Sequence, residues 1–345
     1  MIPVSFGGLA ALLAFTSLDA PVIPHCTKTI FIVTMPSTKN PAIKKWIEQF
    51  LAHSPPRTKS VVMTLFGDAI TPHGGEVWLG SLIELLAPFG ISDRLVRTSV
   101  FRLAEEGWLD ATREGRRSLY ALNASSSSRF ERAYQRVYAP SDRPWQGKWT
   151  LLFATSGGIT AAQRSGLRKE LLWEGFGMIA PAIFGHPSAD PQVIGEILNR
   201  VGVRGTVFVC TASEAELVDG RPLSDLVEEC WQLESVVADY EHYIERFASL
   251  PKLLNMKNAL DPEQAFVVRT LAIHEFRRAQ LHDPQLPLEL LPARWPGKTA
   301  YDLCYQIYHA AYANAEKYVL DTLRREDENA PEAASYFYQR FGGLT

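Results

Sequence analysis

Apolar side chains recur at helical spacing in three neighbouring segments of the N-terminal half of the chain. These segments are 57–70, 77–86 and 93–106. Residues three, four or seven apart lie on one face of a helix, so this spacing predicts three short helices around a shared core. The apolar stripe of the third helix consists of Leu95, Val96, Val100 and Leu103. Ser92 is a typical N-cap residue and Gly107 a typical C-terminal glycine, and they predict where the third helix begins and ends.

The residues after the third helix alternate between apolar and polar positions, as the strands of a β-hairpin do. Two alternating segments, 108–112 and 118–122, flank the basic turn 113–117. A helix followed by a basic hairpin is the arrangement of a winged helix-turn-helix, which places a helix in the major groove of DNA. The candidate DNA-binding residues are Ser92, Arg94, Arg97, Thr98, Arg102, Arg113, Arg116 and Arg117.

Charge alone does not separate this interpretation from an ordinary solvated helix face. Residues 92–117 contain six arginines and five acidic residues, and most exposed arginines have no binding function. The placement of the charges favours DNA, because Glu105 and Glu106 lie at the end of the helix whereas Arg94 and Arg97 lie near its start. The whole chain carries a formal charge of −3. That value argues against non-specific coating of nucleic acid but is compatible with one local basic surface.

From residue 147 the pattern changes to short apolar strands that alternate with amphipathic helices. The predicted strands are 149–154, 178–184 and 206–211, and the predicted helices are 161–175 and 193–201. Strands joined in this way predict an α/β ferredoxin-like domain, which we expect to serve in dimerisation or as a spacer. The preceding segment, 124–146, is predicted to be a linker helix with aromatic residues at Phe130, Tyr134 and Tyr138.

The rest of the chain is predicted to be helical. The predicted helices are 223–250, 262–281 and 298–323. Their side chains suit an anionic aromatic effector, because guanidinium groups bind phosphate or carboxylate and aromatic rings stack. The candidate effector-binding residues are Arg269, His274, Arg277, Arg278 and Tyr305. The alternative is that the tyrosines pack within the helix bundle and that His274 is hydrogen-bonded in a core.

Length and composition fit a globular protein of two or three domains. The chain has 345 residues, of which 46% are hydrophobic and 21% charged. Its four cysteines are widely spaced, so reduced thiols in the cytoplasm are expected, and no cofactor or metal site is indicated. Residues 6–15 are apolar but too short to span a membrane, and no basic residue precedes them. We expect residues 1–54 to be a poorly ordered extension, or translation to begin at Met35.

Seven segments, which together extend over most of 55–323, resemble one known family, the repressors of the phenylacetic acid degradation operon (the PaaX family). They are TLFGD at 64–68, GGEVWLGSLIELLAPFGIS at 74–92, VRTSVFRLAEEGWL at 96–109, GRRSLYAL at 115–122, LRKELLWEGFG at 167–177, WQLESVVADYEHYIERF at 231–247 and HEFRRAQLHDPQLPLELLPARWPG at 274–297. The resemblance implies a bacterial transcriptional repressor that binds double-stranded operator DNA as a homodimer. It also implies release by phenylacetyl-coenzyme A or a related aryl-CoA thioester, and a central domain with the fold of the nuclease Cas2.

The expected fold class is therefore α+β and multidomain. The expected parts are an extension (1–54), a winged helix-turn-helix domain (55–123), a linker helix (124–146), a ferredoxin-like, Cas2-like domain (147–222) and a C-terminal helical domain for effector or dimer contacts (223–345).

Two other functions stay open at this point. One is an acyl-CoA-handling protein or enzyme that does not bind DNA. The other is a metal-dependent nuclease of the Cas2 type, which would need a carboxylate at the end of the first central strand. That strand instead runs into Ala154-Thr155-Ser156-Gly157. The sequence contains no G-x-S-x-G elbow and no Walker P-loop, so we expect a regulator rather than an enzyme.

Overall fold

The computed structural model of the protein describes residues 39–139, 145–155, 157–213, 222–255 and 260–344. The first described element is helix α1 (Pro41–His53), so the expectation of a poorly ordered extension is wrong for this part of 1–54. Asn40 caps α1 by accepting hydrogen bonds from two backbone amides of the first turn. Phe50 is buried with its ring centroid 5.4 Å from that of Phe247. The remainder of the predicted extension, 1–38, lies outside the described residues.

Three helices and a small sheet follow α1. The helices are α2 (Thr58–Leu65), α3 (Leu79–Leu86) and α4 (Asp93–Glu105), and the strands are β1 (Glu76–Trp78), β2 (Leu109–Glu114) and β3 (Arg117–Leu122). The strands pair antiparallel in the order β1-β3-β2. The helices and the hairpin predicted from the spacing are confirmed, with two differences. The α-helical part of the first helix ends at Leu65 and Phe66–Ile70 forms a π-helix, and the second helix begins later because β1 occupies its expected first residues. Helix α5 (Ser127–Tyr138) then forms within the predicted link.

The central part contains four strands and two helices. They are β4 (Lys148–Phe153), α6 (Ala161–Trp173), β5 (Gly177–Ala180), β6 (Ile183–His186), α7 (Pro191–Val201) and β7 (Phe208–Ser213). All pairs are antiparallel, in the order β5-β6-β4-β7. This order and the strand–helix–strand–strand–helix–strand succession are those of a ferredoxin-like fold. The single strand predicted over 178–184 is wrong, because Pro181 and Ala182 form a turn between two strands, with Ala182 at a positive φ of 62°.

The C-terminal part is helical. Its helices are α8 (Leu223–Cys230), α9 (Leu233–Phe247), α10 (Leu250–Leu254), α11 (Pro262–His282) and α12 (Gly297–Leu323). The prediction of one continuous helix over 223–250 is wrong. Trp231 adopts extended backbone at the break, and its indole nitrogen donates a 2.8 Å hydrogen bond to the carbonyl oxygen of Gly175.

The hydrophobic cores cross the predicted domain boundaries. One continuous core joins α1–α5 with α9–α12, and the central fold has a core of its own around Leu152, Leu171 and Ile197. Buried apolar surface is the main source of folding free energy. The helices that carry the hairpin therefore fold together with the C-terminal helices rather than as a separate unit.

Candidate nucleic-acid interface

Helix α4 has two distinct faces. Its buried face consists of Val96, Ser99, Val100 and Leu103. On the opposite face Arg94, Arg97, Thr98 and Phe101 follow one another at i, i+3, i+4 and i+7, and all four are exposed. Outside the buried stripe, α4 therefore presents a row that combines cationic, hydroxyl and aromatic side chains.

The start of α4 is held by local contacts. Ser92 is the N-cap residue, as expected, but its hydroxyl makes no capping hydrogen bond. Arg97 forms an ion pair with Asp93 one turn earlier, with Nε 2.5 Å from the carboxylate. The hydroxyl of Thr98 donates to the carbonyl oxygen of Arg94 at 2.9 Å. Exposed ion pairs of this kind contribute little stability, so the Arg97 side chain can exchange its partner at low cost.

The hairpin ends in a tight turn at Gly115-Arg116. Glu114 and Arg117 are the last paired residues, and Gly115 has a φ of 60°, which glycine adopts without a steric penalty. The side chains of Arg113 and Arg116 are exposed at this end of the hairpin. Two arginines are therefore available to an external anion here.

Arg117 differs from the other arginines of the hairpin. Its guanidinium carbon lies 4.1 Å from the centroid of the Trp78 ring, and one of its nitrogens donates a 3.1 Å hydrogen bond to the carbonyl oxygen of Glu326. These contacts hold the start of β3 against β1 and against the residues that follow α12. Arg117 thus has a structural role in addition to the one predicted for it.

Two apolar residues of α4 depart from the expected pattern. Leu95, expected in the buried stripe, is 52% exposed, and Phe101 is 60% exposed. The prediction for Leu95 is wrong because its position lies about 100° around the helix from the centre of the buried face. Phe101 was missed as a candidate, although its spacing of seven residues from Arg94 places it on the arginine-bearing face.

All eight predicted DNA-binding residues have exposed side chains. The surface also carries Glu105, which is exposed, and Glu106, which pairs with Lys59 at 2.5 Å. The acidic end of α4 is thus partly neutralised by α2.

The five predicted effector residues do not converge on one site. Arg269 is fully buried, with Nε 3.1 Å from the Asp68 carboxylate and a second ion pair to Glu316. Its guanidinium is therefore engaged inside the protein. His274 is buried 2.9 Å from the hydroxyl of Thr64. Burial, with a smaller contribution from nearby arginines, lowers the pKa of His274 to about 3, so this ring is neutral at physiological pH.

The other three residues lie in different surroundings. Arg277 is half-buried and donates a 2.9 Å hydrogen bond to the hydroxyl of Thr64. Arg278 is exposed, and Tyr305 packs with its ring centroid 6.1 Å from that of Phe341. Among these five, only Arg277 lines an open cavity of about 550 Å³, whose other lining residues include members of α2, α5, α6 and α11 and Trp108, which precedes β2.

A buried polar cluster around Asp68 was not predicted. The carboxylate of Asp68 accepts hydrogen bonds from Tyr138 at 2.6 Å and from Tyr308 at 2.9 Å, and it pairs with Arg340 at 3.1 Å. Buried charges are retained where they are paired and hydrogen-bonded. No local signal marks Asp68, because its partners come from α5, α12 and the C-terminal end of the chain.

The described residues hold no group of three or more His, Cys, Asp or Glu side chains able to bind a metal ion. None of the helices that the structure describes is long and apolar enough to cross a membrane. A nuclease of the Cas2 type would need a carboxylate just after β4. Among the described residues, Ala154 and Thr155 follow β4, and neither carries a carboxylate.

Comparison with known proteins identifies three successive regions of the chain. The matching family models are a PaaX-like protein at 57–126, a PaaX protein central Cas2-like domain at 142–224 and a PaaX-like protein C-terminal domain at 231–321. The central domain is thus Cas2-like, as the sequence resemblance implied.

A curated relative extends over nearly the whole chain. This is the transcriptional repressor PaaX of Escherichia coli (strain K12), with 39% identity over 304 residues, which cover 86% of this chain and 95% of the relative. That relative is named a transcriptional repressor, which is a class of regulator. Among solved structures, an uncharacterized protein from Mycobacterium tuberculosis matches with 26% identity and a TM-score of 0.44, over 70% of this chain and 89% of that one. On the family models and the extent of the identity, this chain belongs to the PaaX-like protein family.

Proposed function

We propose that this protein is a DNA-binding transcriptional repressor of an operon for aromatic-acid catabolism of the phenylacetate type. The observation that carries the proposal is the exposed face of α4, which presents Arg94, Arg97 and Thr98 on a helix that contacts strand β2 of the basic hairpin. Family membership supports it, since the E. coli relative is named a transcriptional repressor. In this proposal residues 55–123 act as a winged helix-turn-helix, with α4 as the recognition helix and β2–β3 as the wing.

Helix α4 enters the major groove in this mechanism. Arginine is the residue best suited to guanine there, because its guanidinium donates two hydrogen bonds to O6 and N7, and each such pair contributes about 1–3 kcal/mol of discrimination. Arg94 and Arg97 are the candidates for this role, with Ser92, Thr98 and Arg102 as phosphate or base contacts. Phe101 is suited to a thymine methyl group, because an exposed aromatic ring on the same face makes apolar contact with it.

The wing contacts the sugar-phosphate backbone beside that groove. Arg113 and Arg116 at its tip supply positive charge without sequence preference, which fixes the orientation of α4 on the duplex. Arg117 contributes directly after the turn, where it also stacks on Trp78.

Repression requires a partner copy and a signal. A symmetric homodimer would place two recognition helices on two half-sites of one operator. An aryl-CoA thioester such as phenylacetyl-CoA would release the DNA by favouring an arrangement of the two wings that does not match the half-site spacing. The thioester can lower the affinity for DNA only by as much as its own affinity differs between the two arrangements of the dimer.

The test begins with selection of bound duplexes from a random library by the purified full chain, followed by affinity measurements on the enriched sequence. Arg94→Ala and Arg116→Ala should each weaken binding, Arg94→Ala by about 5- to 150-fold with relaxed preference at one guanine. Arg278→Ala removes an exposed arginine from α11 and is the matched control, expected to bind like the wild type. Failure to enrich any sequence, or equal affinity of all three variants and the wild type, contradicts the proposal.

A further inference from the structure

The cavity of about 550 Å³ lies where four parts of the chain meet. Its walls are aromatic: Trp108 at the start of the hairpin, Phe130 and Tyr134 from α5, and Trp173 from α6. The rings of Trp108 and Phe130 pack edge to face with centroids 6.4 Å apart. Cavities of this size and lining are typical of small-molecule sites, in which apolar walls supply affinity and a few polar groups fix orientation.

Among the charged side chains that line this cavity, Arg277 is half-buried and has no ion-pair partner among the described residues. It donates to the neutral hydroxyl of Thr64. Other charged groups of the cavity wall already form ion pairs within the protein. Asp68 pairs with Arg269 and Arg340, and Arg129 pairs with Glu170 at 2.7 Å. Lys169 and Glu131 line the cavity with exposed side chains.

A half-buried cation without a counter-ion is less favourable than one in water, and the direction of its pKa shift agrees with this. Burial lowers the pKa of Arg277, and the nearby Tyr138 only partly opposes this shift. A carboxylate or a polarised carbonyl oxygen in the cavity would supply the missing partner, and hydrogen bonds of guanidinium groups to such oxygens are among the strongest in proteins.

We propose that this cavity binds the aromatic acyl group of a small-molecule effector. The ring lies among Trp108, Phe130 and Trp173, and the acyl oxygen accepts a hydrogen bond from Arg277. The geometry of the cavity supports a small aromatic ligand with an anionic or carbonyl oxygen, whereas the identity of that ligand as an effector and its effect on DNA rest on the proposed function.

The position of Trp108 links this cavity to the recognition surface. Gly107 ends α4 with a φ of 73°, and Trp108 follows it directly as the entry to β2. The backbone carbonyl of Trp108 accepts a 3.0 Å hydrogen bond from the amide of Asn123, just after β3. Leu122, the last residue of β3, also lines the cavity. Both ends of the wing are thus in the cavity wall, and an occupant that moves Trp108 moves the wing relative to α6 and α11.

Neighbouring arginines on α11 provide a matched pair for the test. Arg277 lines the cavity, whereas Arg278, the next residue, is exposed with its nearest carboxylate 3.8 Å away. Arg277→Gln removes the charge inside the cavity, and Arg278→Gln removes an equal charge outside it. A third variant, Ala133→Phe, fills the cavity from α5 without changing any charge.

The experiment is calorimetric titration of the full chain without DNA, with phenylacetate, phenylacetyl-CoA and coenzyme A as separate probes. At least one of the two aromatic probes should bind, and coenzyme A alone should not. Binding of phenylacetate would identify the free acid as the ligand, and binding of phenylacetyl-CoA would identify the thioester. Arg277→Gln should weaken that binding about 10- to 100-fold, because a hydrogen bond to a charged group is lost. Arg278→Gln should stay within twofold of the wild type, and Ala133→Phe should abolish binding while thermal unfolding shows a folded protein.

The cavity proposal fails if neither aromatic probe binds, or if Arg277→Gln and Arg278→Gln have equal effects. It also fails if Ala133→Phe is folded and still binds. These outcomes are independent of the proposed function. If phenylacetyl-CoA reverses operator binding equally in the wild type and in Arg277→Gln, the proposed repressor function stands and the cavity proposal is contradicted. If effector binding depends on Arg277 but the protein selects no DNA, the cavity proposal stands and the proposed repressor function is contradicted.

Discussion

Asp68, just after α2, accepts a 3.1 Å hydrogen bond from Arg340, which lies 272 residues further along the chain. Both side chains are fully buried. Arg269 of α11 reaches the same carboxylate at 3.1 Å, and the hydroxyls of Tyr138 and Tyr308 donate to it. One carboxylate thus joins the segment after α2 to α5, α11, α12 and the end of the chain, and a shift of α2 cannot leave those elements unchanged.

Removing the Asp68 charge should destabilise the whole fold. Asp68→Asn leaves Arg340 buried without a carboxylate, and removing one partner of a buried pair typically costs about 3–5 kcal/mol. We expect the free energy of unfolding measured in urea to fall by that amount, with loss of the C-terminal helices in the same transition because they share one core with α2.

Asp93→Asn is the matched control, since it breaks the exposed pair with Arg97. Its free energy of unfolding should stay within about 0.5 kcal/mol of the wild type. Equal effects of the two substitutions would contradict the role assigned to Asp68.

Acid should destabilise the protein through two buried histidines. Burial lowers the pKa of His186 to about 4 and that of His274 to about 3, whereas both titrate near 6.5 in an unfolded chain. Below that value the unfolded state binds protons that the folded state excludes, so stability present at neutral pH is lost as the pH falls from about 6.5 towards 4. Each histidine contributes a slope of up to about 1.4 kcal/mol per pH unit in this window.

The double variant His186→Gln, His274→Gln isolates this contribution. Its free energy of unfolding is expected to be lower at pH 7, because the hydrogen bonds of His186 to Pro284 and of His274 to Thr64 are altered. Between pH 6.5 and 4 it should change less with pH than that of the wild type. Parallel pH dependences would show that other groups control acid unfolding.

Local patterns were sufficient to predict helix α4 and the β2–β3 hairpin. Spacing along α4, Gly107 and the Gly115 turn are all properties of neighbouring residues, so the sequence predicts them. The same helical spacing, applied to every position of α4, also assigns Phe101 to the exposed face.

Long-range packing explains what the sequence could not show. Helix α11 lies among α2, α5, α9 and α12 and is buried on most sides, so Arg269, which looks like a surface ligand in sequence, is enclosed by Asp68 and Glu316. The break at Trp231 depends on a hydrogen bond to Gly175, 56 residues earlier. A sequence pattern that extends over a few helical turns cannot identify Asp68 as the partner of Arg269 or Gly175 as the partner of Trp231.

Phe101 should contribute to base recognition through a thymine methyl group. Replacing one thymine of the selected operator by uracil removes that methyl, and a buried methyl contributes about 0.8 kcal/mol, or roughly fourfold in affinity. The wild type should lose this factor at one thymine, whereas Phe101→Ala should bind both duplexes equally. Phe208→Ala, which removes an exposed phenylalanine from β7, should retain the wild-type preference. A thymine preference that survives in Phe101→Ala would assign the contact to another residue.

Arg113 and Arg116 should contact phosphates rather than bases. Each phosphate contact adds about one unit to the slope of log affinity against log salt concentration, because one condensed counterion is released. Arg116→Ala should therefore reduce the slope by about one unit, and the double variant with Arg113→Ala by about two, with the base preference unchanged. Arg117→Ala should in addition lower the thermal stability, since Arg117 stacks on Trp78 and binds the carbonyl of Glu326. Arg278→Ala should leave slope and stability unchanged. A double variant with the wild-type slope would place the hairpin tip away from the duplex and leave α4 as the DNA-contacting element.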